Sequence, residues 1–411
     1  MADVTTGPVI FTTRRDIETP CGGSSIRIAG YTSYLEDLGV DYSFVAPVRP
    51  AYVPQGRFLA IERDKTLYRR IYTYLAFNHL NVAARRLQQT IDRHPLIQSM
   101  LRLTENRIVW VHQTGLIPLY LAIAHNRRYI YDVHGILKIQ REYFDHATLQ
   151  QKAGLILNVW LEKQFFRHAT YVNAASLKMK QFIADAFKIE GDSIIITPEG
   201  LLENNFTHLS PEELSALRAR HGLADTDRVI FFAGDFKKIG GVHLLTDVFC
   251  RVAPSMDNLK LFLVGAGQME RYVLDTIRRH KLTSRLIHLR RVDYHQLPQL
   301  QQLGTIIVCP DLYNRYNEMV AHIKVFDSLA AQKPVLASRF PVLLEEFPES
   351  KGCILYFEPS NPVDLERAIR QGLGHPQTIR PLSHEELRLL TYRQRVKGVI
   401  NEYRRRTIIH D

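Results

Sequence analysis

Five short runs in this sequence carry residue types that do chemistry on phosphates or sugars. In residues 317–338, Lys324 and Asp327 stand three positions apart on what reads as one helix, so their side chains share a face. A carboxylate there accepts both hydroxyls of a ribose, and a lysine beside it holds a phosphate. An exposed ion pair on an amphipathic helix gives the same spacing. Glu318, just before that helix, is a second acid. Residues 231–241 run from an apolar strand through Gly234, Asp235, Phe236, Lys237 and Lys238 to Gly240-Gly241 and a new helix. Two lysines and a helix N-terminus converge where a diphosphate leaving group needs its charge neutralised, although a solvated lysine pair on a loop is common.

The strand 261–264 ends in Gly265-Ala266-Gly267. These glycines fit close approach of the backbone to a base or sugar, without the third glycine of a dinucleotide fingerprint. Gly22-Gly23 follows the first strand and precedes a helix. That pair fits either a phosphate or acceptor loop or a plain tight turn. Tyr131-Asp132-Val133-His134-Gly135 stands at the end of a strand, where an open sheet keeps its ligand loops. His134 there can hydrogen-bond a sugar hydroxyl or donate to a developing charge with Asp132 orienting it, or it can be satisfied by backbone groups.

The elements that would position these runs alternate between β-rich and helical. Strands are predicted at 9–13, 42–46, 108–112, 129–133, 170–173 and 193–196. After a polar stretch with Glu203, Asn204 and Asn205 and a capped helix start at Ser210, they resume at 229–233, 259–264, 286–289, 305–308, 334–337 and 353–357. Helical patterns fill the gaps, among them 64–103 and 383–406. The reading is α/β: two Rossmann-like, doubly wound parallel-sheet domains in tandem, facing across a cleft. The expected division is 1–205, 206–380, and a C-terminal helical segment 381–411 packing back across the junction.

Bulk properties narrow the class. A length of 411 residues exceeds one core of typical size, which agrees with two domains. The four cysteines, Cys21, Cys250, Cys309 and Cys353, form no CxxC pair, so neither a zinc site nor a disulfide framework is expected. The longest apolar run is too short to span a bilayer and the N-terminus lacks a signal-peptide profile, so the expected location is cytoplasmic. A formal charge of +11 implies an anionic partner: nucleotide phosphates, an acidic membrane surface or nucleic acid. No nucleic-acid-reading motif is present, which leaves the first two.

Residues 324–338 resemble the nucleotide-binding segment of the retaining GT-B glycosyltransferases of family four (group 1): a lysine, an acid three residues on, small residues and a Pro-Val strand. Residues 232–241 are similar to the same family's Gly turn and Lys-Gly phosphate loop, and 261–267 to its "LVG.G" strand. Gly22-Gly23, residues 132–135 and residues 198–206 fall in the family's order. The resemblance implies a GT-B fold and transfer of a sugar from a UDP- or GDP-linked donor, without metal or other cofactor and with retention. It implies Asp327 on the ribose, Lys238 with Lys237 on the diphosphate, Glu318 near the donor sugar, His134 near the reacting carbon, and Gly22-Gly23 beside phosphates and acceptor. The chain departs from the family in four places. Asp235 replaces an arginine, eight rather than seven residues separate Glu318 from Asp327, Asp327 replaces a glutamate, and Gln332 replaces a glycine.

The acceptor implied is a glycan or a lipid-linked molecule. Arg69, Arg70, Arg85, Arg86, Arg93 and Arg102, among aromatic and aliphatic residues in 64–103, suit either an anionic membrane surface at the inner face of a membrane or a solvated helix pair. Two other readings keep the same fold: a sugar-nucleotide epimerase or hydrolase, and a non-catalytic partner subunit.

Overall fold

The computed structural model describes residues 7–18, 22–62, 64–77, 81–112, 115–140, 149–206, 209–320 and 322–408. Cys21, with the rest of the turn 19–21, and Ala321 lie outside the described residues. The chain divides into two compact units, the first comprising 1–198 with 393–411 and the second 199–392.

In the first unit, seven strands form one parallel sheet: β1 (Val9–Thr12), β2 (Ser43–Ala46), β3 (Phe58–Ala60), β4 (Val109–His112), β5 (Tyr129–Asp132), β6 (Tyr171–Ala174) and β7 (Ile194–Ile196). Their order is β3-β2-β1-β4-β5-β6-β7, with β1 interior and in register with both β2 and β4. All four residues of β1, β4 and β5 are buried. Strands covered on both faces lose the apolar-polar alternation of a half-exposed sheet. The edge strand β3 is an addition to the sequence reading; three residues, two half-buried and one exposed, leave no periodic signal.

The second unit holds β8 (Arg228–Ala233), β9 (Leu259–Val264), β10 (Leu286–Leu289), β11 (Ile306–Cys309), β12 (Val335–Ser338) and β13 (Ile354–Phe357). They form a parallel sheet in the order β10-β9-β8-β11-β12-β13. Phe231 and Phe262 stack across β8 and β9, their ring centroids 5.4 Å apart, within one of its apolar layers. In both sheets the strand order reverses at one point, between β1 and β4 and between β8 and β11. The loops leaving the two strands at such a point diverge and open a crevice at their carboxyl ends.

Two expected boundaries move. Leu201 pairs with Thr391 as a parallel bridge, Leu201 N–H donates to Leu390 O at 2.9 Å, and Tyr392 N–H donates to Leu201 O at 2.8 Å. This pairing places 199–205 and 381–392 in the second unit. It also breaks the expected single helix 383–406 into His384–Leu389 and Tyr392–Arg405. The second of these belongs almost wholly to the first unit, where the Tyr403 hydroxyl donates to Asn173 Oδ1 at 2.9 Å. The expected helical stretch 64–103 is three helices, Lys65–Phe77, Asn81–Asp92 and Pro95–Leu103. The capped helix start at Ser210 is as read: its hydroxyl accepts from Glu213 N–H, and the Glu213 carboxylate accepts from Ser210 N–H.

Candidate functional site

The second unit gathers its charged groups at the strand-order reversal. The turn after β8 and the turn after β9 press together. Gly234, Gly265 and Gly267 have φ of +154°, +143° and +150°. Phe236 N–H donates to Ala266 O at 3.0 Å, and Met269 N–H donates to Phe236 O at 2.8 Å. A β-carbon on Gly267 would stand 3.1 Å from Phe236 O. The close approach these glycines allow is therefore between two loops of the same unit, a structural need that their sequence context did not distinguish from approach to a ligand.

Lys237 and Lys238 follow on this buttressed turn. Asp235, standing where the resembled family has arginine, does not turn its charge away from the lysines: it pairs with Lys237 at 2.9 Å, both side chains exposed. Lys238 is exposed and makes no ion pair among the described residues. Gly241, with φ +72°, begins the helix Val242–Val252 and has no capping side chain. A β-carbon there would overlap Pro310 O at 1.7 Å, so the helix start is held against the loop after β11. Leu312 N–H and Asn317 Nδ2 both donate to Ile239 O, at 2.9 and 3.2 Å, and sew the two loops together.

From the other side of the reversal comes the helix Ile323–Ala330, which carries both Lys324 and Asp327. The structure gives them different partners. Lys324 Nζ lies 2.6 Å from Asp311 Oδ1 and 5.5 Å from the Phe232 ring centroid, and its chain passes beside Gly234. Asp327 is buried: Oδ1 accepts from Asn205 Nδ2 at 2.6 Å and from the Tyr294 hydroxyl at 2.8 Å. Burial pushes its carboxyl up to about 7, with the two hydrogen bonds pulling the other way. The two side chains therefore do not form the exposed ion pair that the same spacing would allow, because the helix packs its Asp327 side inward. His322 stands at the N-cap position without a capping bond and donates from Nε2 to Asn317 Oδ1 at 2.9 Å; burial holds it neutral. Glu318, half-buried on the preceding turn, lies outside the helix and makes no side-chain hydrogen bond among the described residues.

In the first unit the candidate group stands at the ends of β4 and β5. Asp132 is fully buried and holds three donors: Arg27 Nε on Oδ1 at 3.0 Å, with Trp110 Nε1 and Asn173 Nδ2 on Oδ2 at 3.1 and 3.0 Å. Arg27, itself buried, also donates to Thr197 O and Oγ1 at 2.8 and 2.7 Å. Burial raises the Asp132 carboxyl, but Arg27 and two imidazoles outweigh it and hold the group below the usual carboxylate range. His134 Nε2 lies 3.4 Å from Asp132 Oδ1 and 3.2 Å from His112 Nδ1. Burial lowers both histidines, His112 to about 4 and His134 well below its ordinary value, so both are neutral near pH 7.

His112, Asp132 and His134 are the one group of His, Cys or acidic side chains among the described residues that lies close enough to share a cation. The Asp132 oxygen nearest His134 already carries the Arg27 guanidinium, a fixed positive charge in a buried site. Gly22 stands before the helix Gly23–Thr32 with φ −123°, an ordinary extended value, and a β-carbon there would meet only Ser25 Oγ at 4.0 Å. Gly22 is thus neither strained nor crowded.

Sequence reasoning found Asp132 and His134 but passed over Arg27, His112, Asn173 and Tyr403. One signal was available: Arg27 sits between Ile26 and Ile28 on a helix that is otherwise buried. An arginine inside an apolar run needs an internal anion. Five of the six arginines named above lie on the helices Lys65–Phe77, Asn81–Asp92 and Pro95–Leu103 and Arg93 lies between the last two; all six are exposed and form no ion pair among the described residues. Phe77 and Val82, 53% and 69% exposed, stand where the first two of these helices meet.

Residues 215–383 match the model of the family described as glycosyl transferases group 1. A sequence search of curated proteins returns no match. Among solved structures, sucrose-phosphate synthase from Thermosynechococcus elongatus superposes with TM-score 0.69 at 14% identity, over 98% of this chain and 99% of that one. A glycosyltransferase from Rickettsia africae ESF-5 gives TM-score 0.67 at 13% identity, over 97% and 98%. Anabaena HepE, solved with UDP and glucose, gives 0.67 at 15% identity, over 98% and 99%. At these identities the likeness is one of fold, and the fold is GT-B.

Proposed function

We propose that this GT-B glycosyltransferase moves a hexose from a nucleotide-diphosphate donor to a glycan or lipid-linked acceptor, without metal and with retention at the anomeric carbon. The observation that carries the reading is the junction of the loops after β8 and β11. There Lys238, the pair Lys237–Asp235, Lys324 and the uncapped start of the helix Val242–Val252 come from both sides of one strand-order reversal. Helix N–H groups and lysine ammonium groups suit a diphosphate whose charge grows as the bond to the sugar breaks. Asp327 would hold the ribose hydroxyls by exchanging its hydrogen bonds from Asn205 and Tyr294 for them, and Glu318 would face the sugar. The resemblance to a structure solved with UDP and glucose favours a UDP-linked donor, with GDP as the alternative base.

In the first unit, neutral His134 would hydrogen-bond the transferred sugar, and the backbone at Gly22-Gly23 would lie beside the phosphates and the acceptor. In the transfer, the bond from C1 to the diphosphate oxygen breaks and the acceptor oxygen bonds C1. The acceptor's proton passes to the departing phosphate. No helix among the described residues is long and apolar enough to cross a membrane. The exposed arginines of 64–103 support peripheral binding at the cytoplasmic face, where a lipid-linked acceptor would be presented.

A second reading, a non-catalytic partner subunit, is favoured by the two lysines already neutralised by Asp235 and Asp311. Calorimetric titration with UDP, GDP, ADP and CMP sugars, followed by incubation with glycan and lipid acceptors, separates the two. The transferase reading expects one donor to bind, to lose affinity in Lys238→Ala, and to be consumed only with an acceptor. Binding without turnover points to the partner subunit, and turnover without an acceptor to a hydrolase or epimerase. No binding by any sugar nucleotide ends the donor assignment.

A further inference from the structure

We infer that His322 is a further residue of the phosphate site: its Nε2–H is committed to Asn317, and its free Nδ1 takes up a proton when a diphosphate occupies the junction of Lys237 and Lys324. The identity of the anion rests on the transferase reading; the state of the ring rests on geometry.

The amide of Asn317 decides which nitrogen of His322 carries the proton in the empty chain. Its Nδ2 donates twice, to Leu312 O at 2.8 Å and to Ile239 O at 3.2 Å. Turned over, the amide would set its own oxygen against two carbonyl oxygens, so Oδ1 faces the imidazole. His322 Nε2, 2.9 Å from that oxygen, must therefore be the donor. The neutral ring keeps Nδ1 as a lone pair. That atom makes no hydrogen bond among the described residues, and on this half-buried side chain it is not sealed from solvent.

The same amide joins the ring to the lysine turn. Ile239, whose carbonyl Asn317 holds, follows Lys238 directly, and Lys324 stands two residues beyond His322 on the helix that His322 precedes. The charges acting on the ring come from three elements: Asp311 in the loop after β11, Lys324 on the helix, and Lys237 in the turn after β8. Tyr316 stands beside it, ring centroids 6.1 Å apart. Burial and the two lysines keep the ring neutral, while Asp311, itself held by Lys324 at 2.6 Å, pulls the other way. A diphosphate brings negative charge to these lysines, offsets their repulsion of an imidazolium and favours a proton on Nδ1. An ionised donor bonds a phosphate oxygen roughly twice as strongly as a neutral one. Its contribution grows as the bond to the sugar breaks and charge builds on the diphosphate.

The test is a long-range proton–nitrogen spectrum of the full chain with 15N-labelled histidine at pH 7, with and without UDP-glucose, whose diphosphate has no proton to gain or lose near that pH. His322 is assigned as the signal missing from His322→Gln, a variant that can still donate to Asn317 but cannot take a proton. In the empty chain His322 should show a protonated Nε2 and a bare Nδ1, and with UDP-glucose both nitrogens should be protonated. Because the bound chain holds this proton to higher pH, wild-type affinity should fall about threefold more than that of His322→Gln between pH 6 and pH 8. Asp327 titrates in the same window but is present in both proteins, so it cancels in the comparison. A bare Nε2 in the empty chain overturns the inference. So does a singly protonated ring with UDP-glucose bound, or an equal pH dependence in the two proteins. Should UDP-glucose not bind, inorganic pyrophosphate is the probe: a doubly protonated ring then keeps the phosphate-site assignment while the UDP-linked donor falls, and an unchanged ring ends the inference. Should His322→Gln not fold, His322→Asn supplies the assignment and the wild-type spectra decide. If both nitrogens are protonated in the complex but no sugar reaches any acceptor, the role of His322 stands and the transferase reading falls.

Discussion

Gly265 rests against the carbonyl of Gly234: a β-carbon on Gly265 would stand 2.0 Å from that oxygen, where its φ of +143° already disfavours any other residue. The turn after β8 is therefore shaped by the loop next to it. Gly265→Ala should destabilise the second unit by about 3 kcal/mol in urea unfolding. Gly374→Ala, where nothing lies within 4 Å, should stay within about 0.5 kcal/mol. Equal effects in the two variants would show that the loop contact does not matter.

Lys237 and Lys238 are neighbours with different electrostatic surroundings. Lys237 is paired with Asp235 and Lys238 is not. Lys238→Ala should weaken binding of UDP about tenfold, or roughly 1.4 kcal/mol, and Lys237→Ala less than about threefold. Asp235→Asn should tighten it, by about threefold at low salt and less at high salt. Titration calorimetry at two ionic strengths reads all three.

The buried Asp327 carboxyl has a folded value of about 7 against an ordinary 3.8, so the folded chain keeps this proton over a range where the unfolded chain releases it. The contribution of the protonated group to stability is complete below about pH 4 and drains away as pH rises to about 7. Between those limits the slope is at most about 1.4 kcal/mol per pH unit. Asp327→Asn should flatten the stability profile in that window, as followed by urea unfolding at pH 5, 6 and 7. His112 works in the opposite direction, because its value of about 4 lies below the ordinary 6.5. Its contribution is complete above about pH 6.5 and is lost as pH falls toward 4, so His112→Asn should resist acid better than the wild type.

The exposed arginines of the helices Lys65–Phe77 and Asn81–Asp92 face solvent with Phe77 and Val82 between them. Each arginine near an anionic bilayer is worth about 1 kcal/mol. Arg85→Glu combined with Arg86→Glu should lower co-sedimentation with vesicles rich in phosphatidylglycerol by at least tenfold, while neutral phosphatidylcholine vesicles bind neither protein. Binding to neutral vesicles as strong as to anionic ones would remove the electrostatic argument.

The sequence by itself determined two doubly wound halves, because parallel strands buried on both faces write continuous apolar runs such as 229–233 and 306–309, and because glycine and lysine turns follow them. Twelve of the thirteen strands were placed within one residue at both ends, the short β7 among them; β3 was absent from the reading. The sequence also brought forward Lys237, Lys238, Lys324 and His134, whose positions after strands follow from local order alone. Only the tertiary structure decided what those residues touch. Arg27 and Asp132 are 105 positions apart, and Asn205 and Asp327 are 122 apart, so neither pairing leaves a periodic signal in the chain. The same holds for His112 beside His134, which share a contact because β4 and β5 are neighbours in the sheet. Periodicity reports which face of an element is buried, whereas the partner on that face is set by how the elements are stacked.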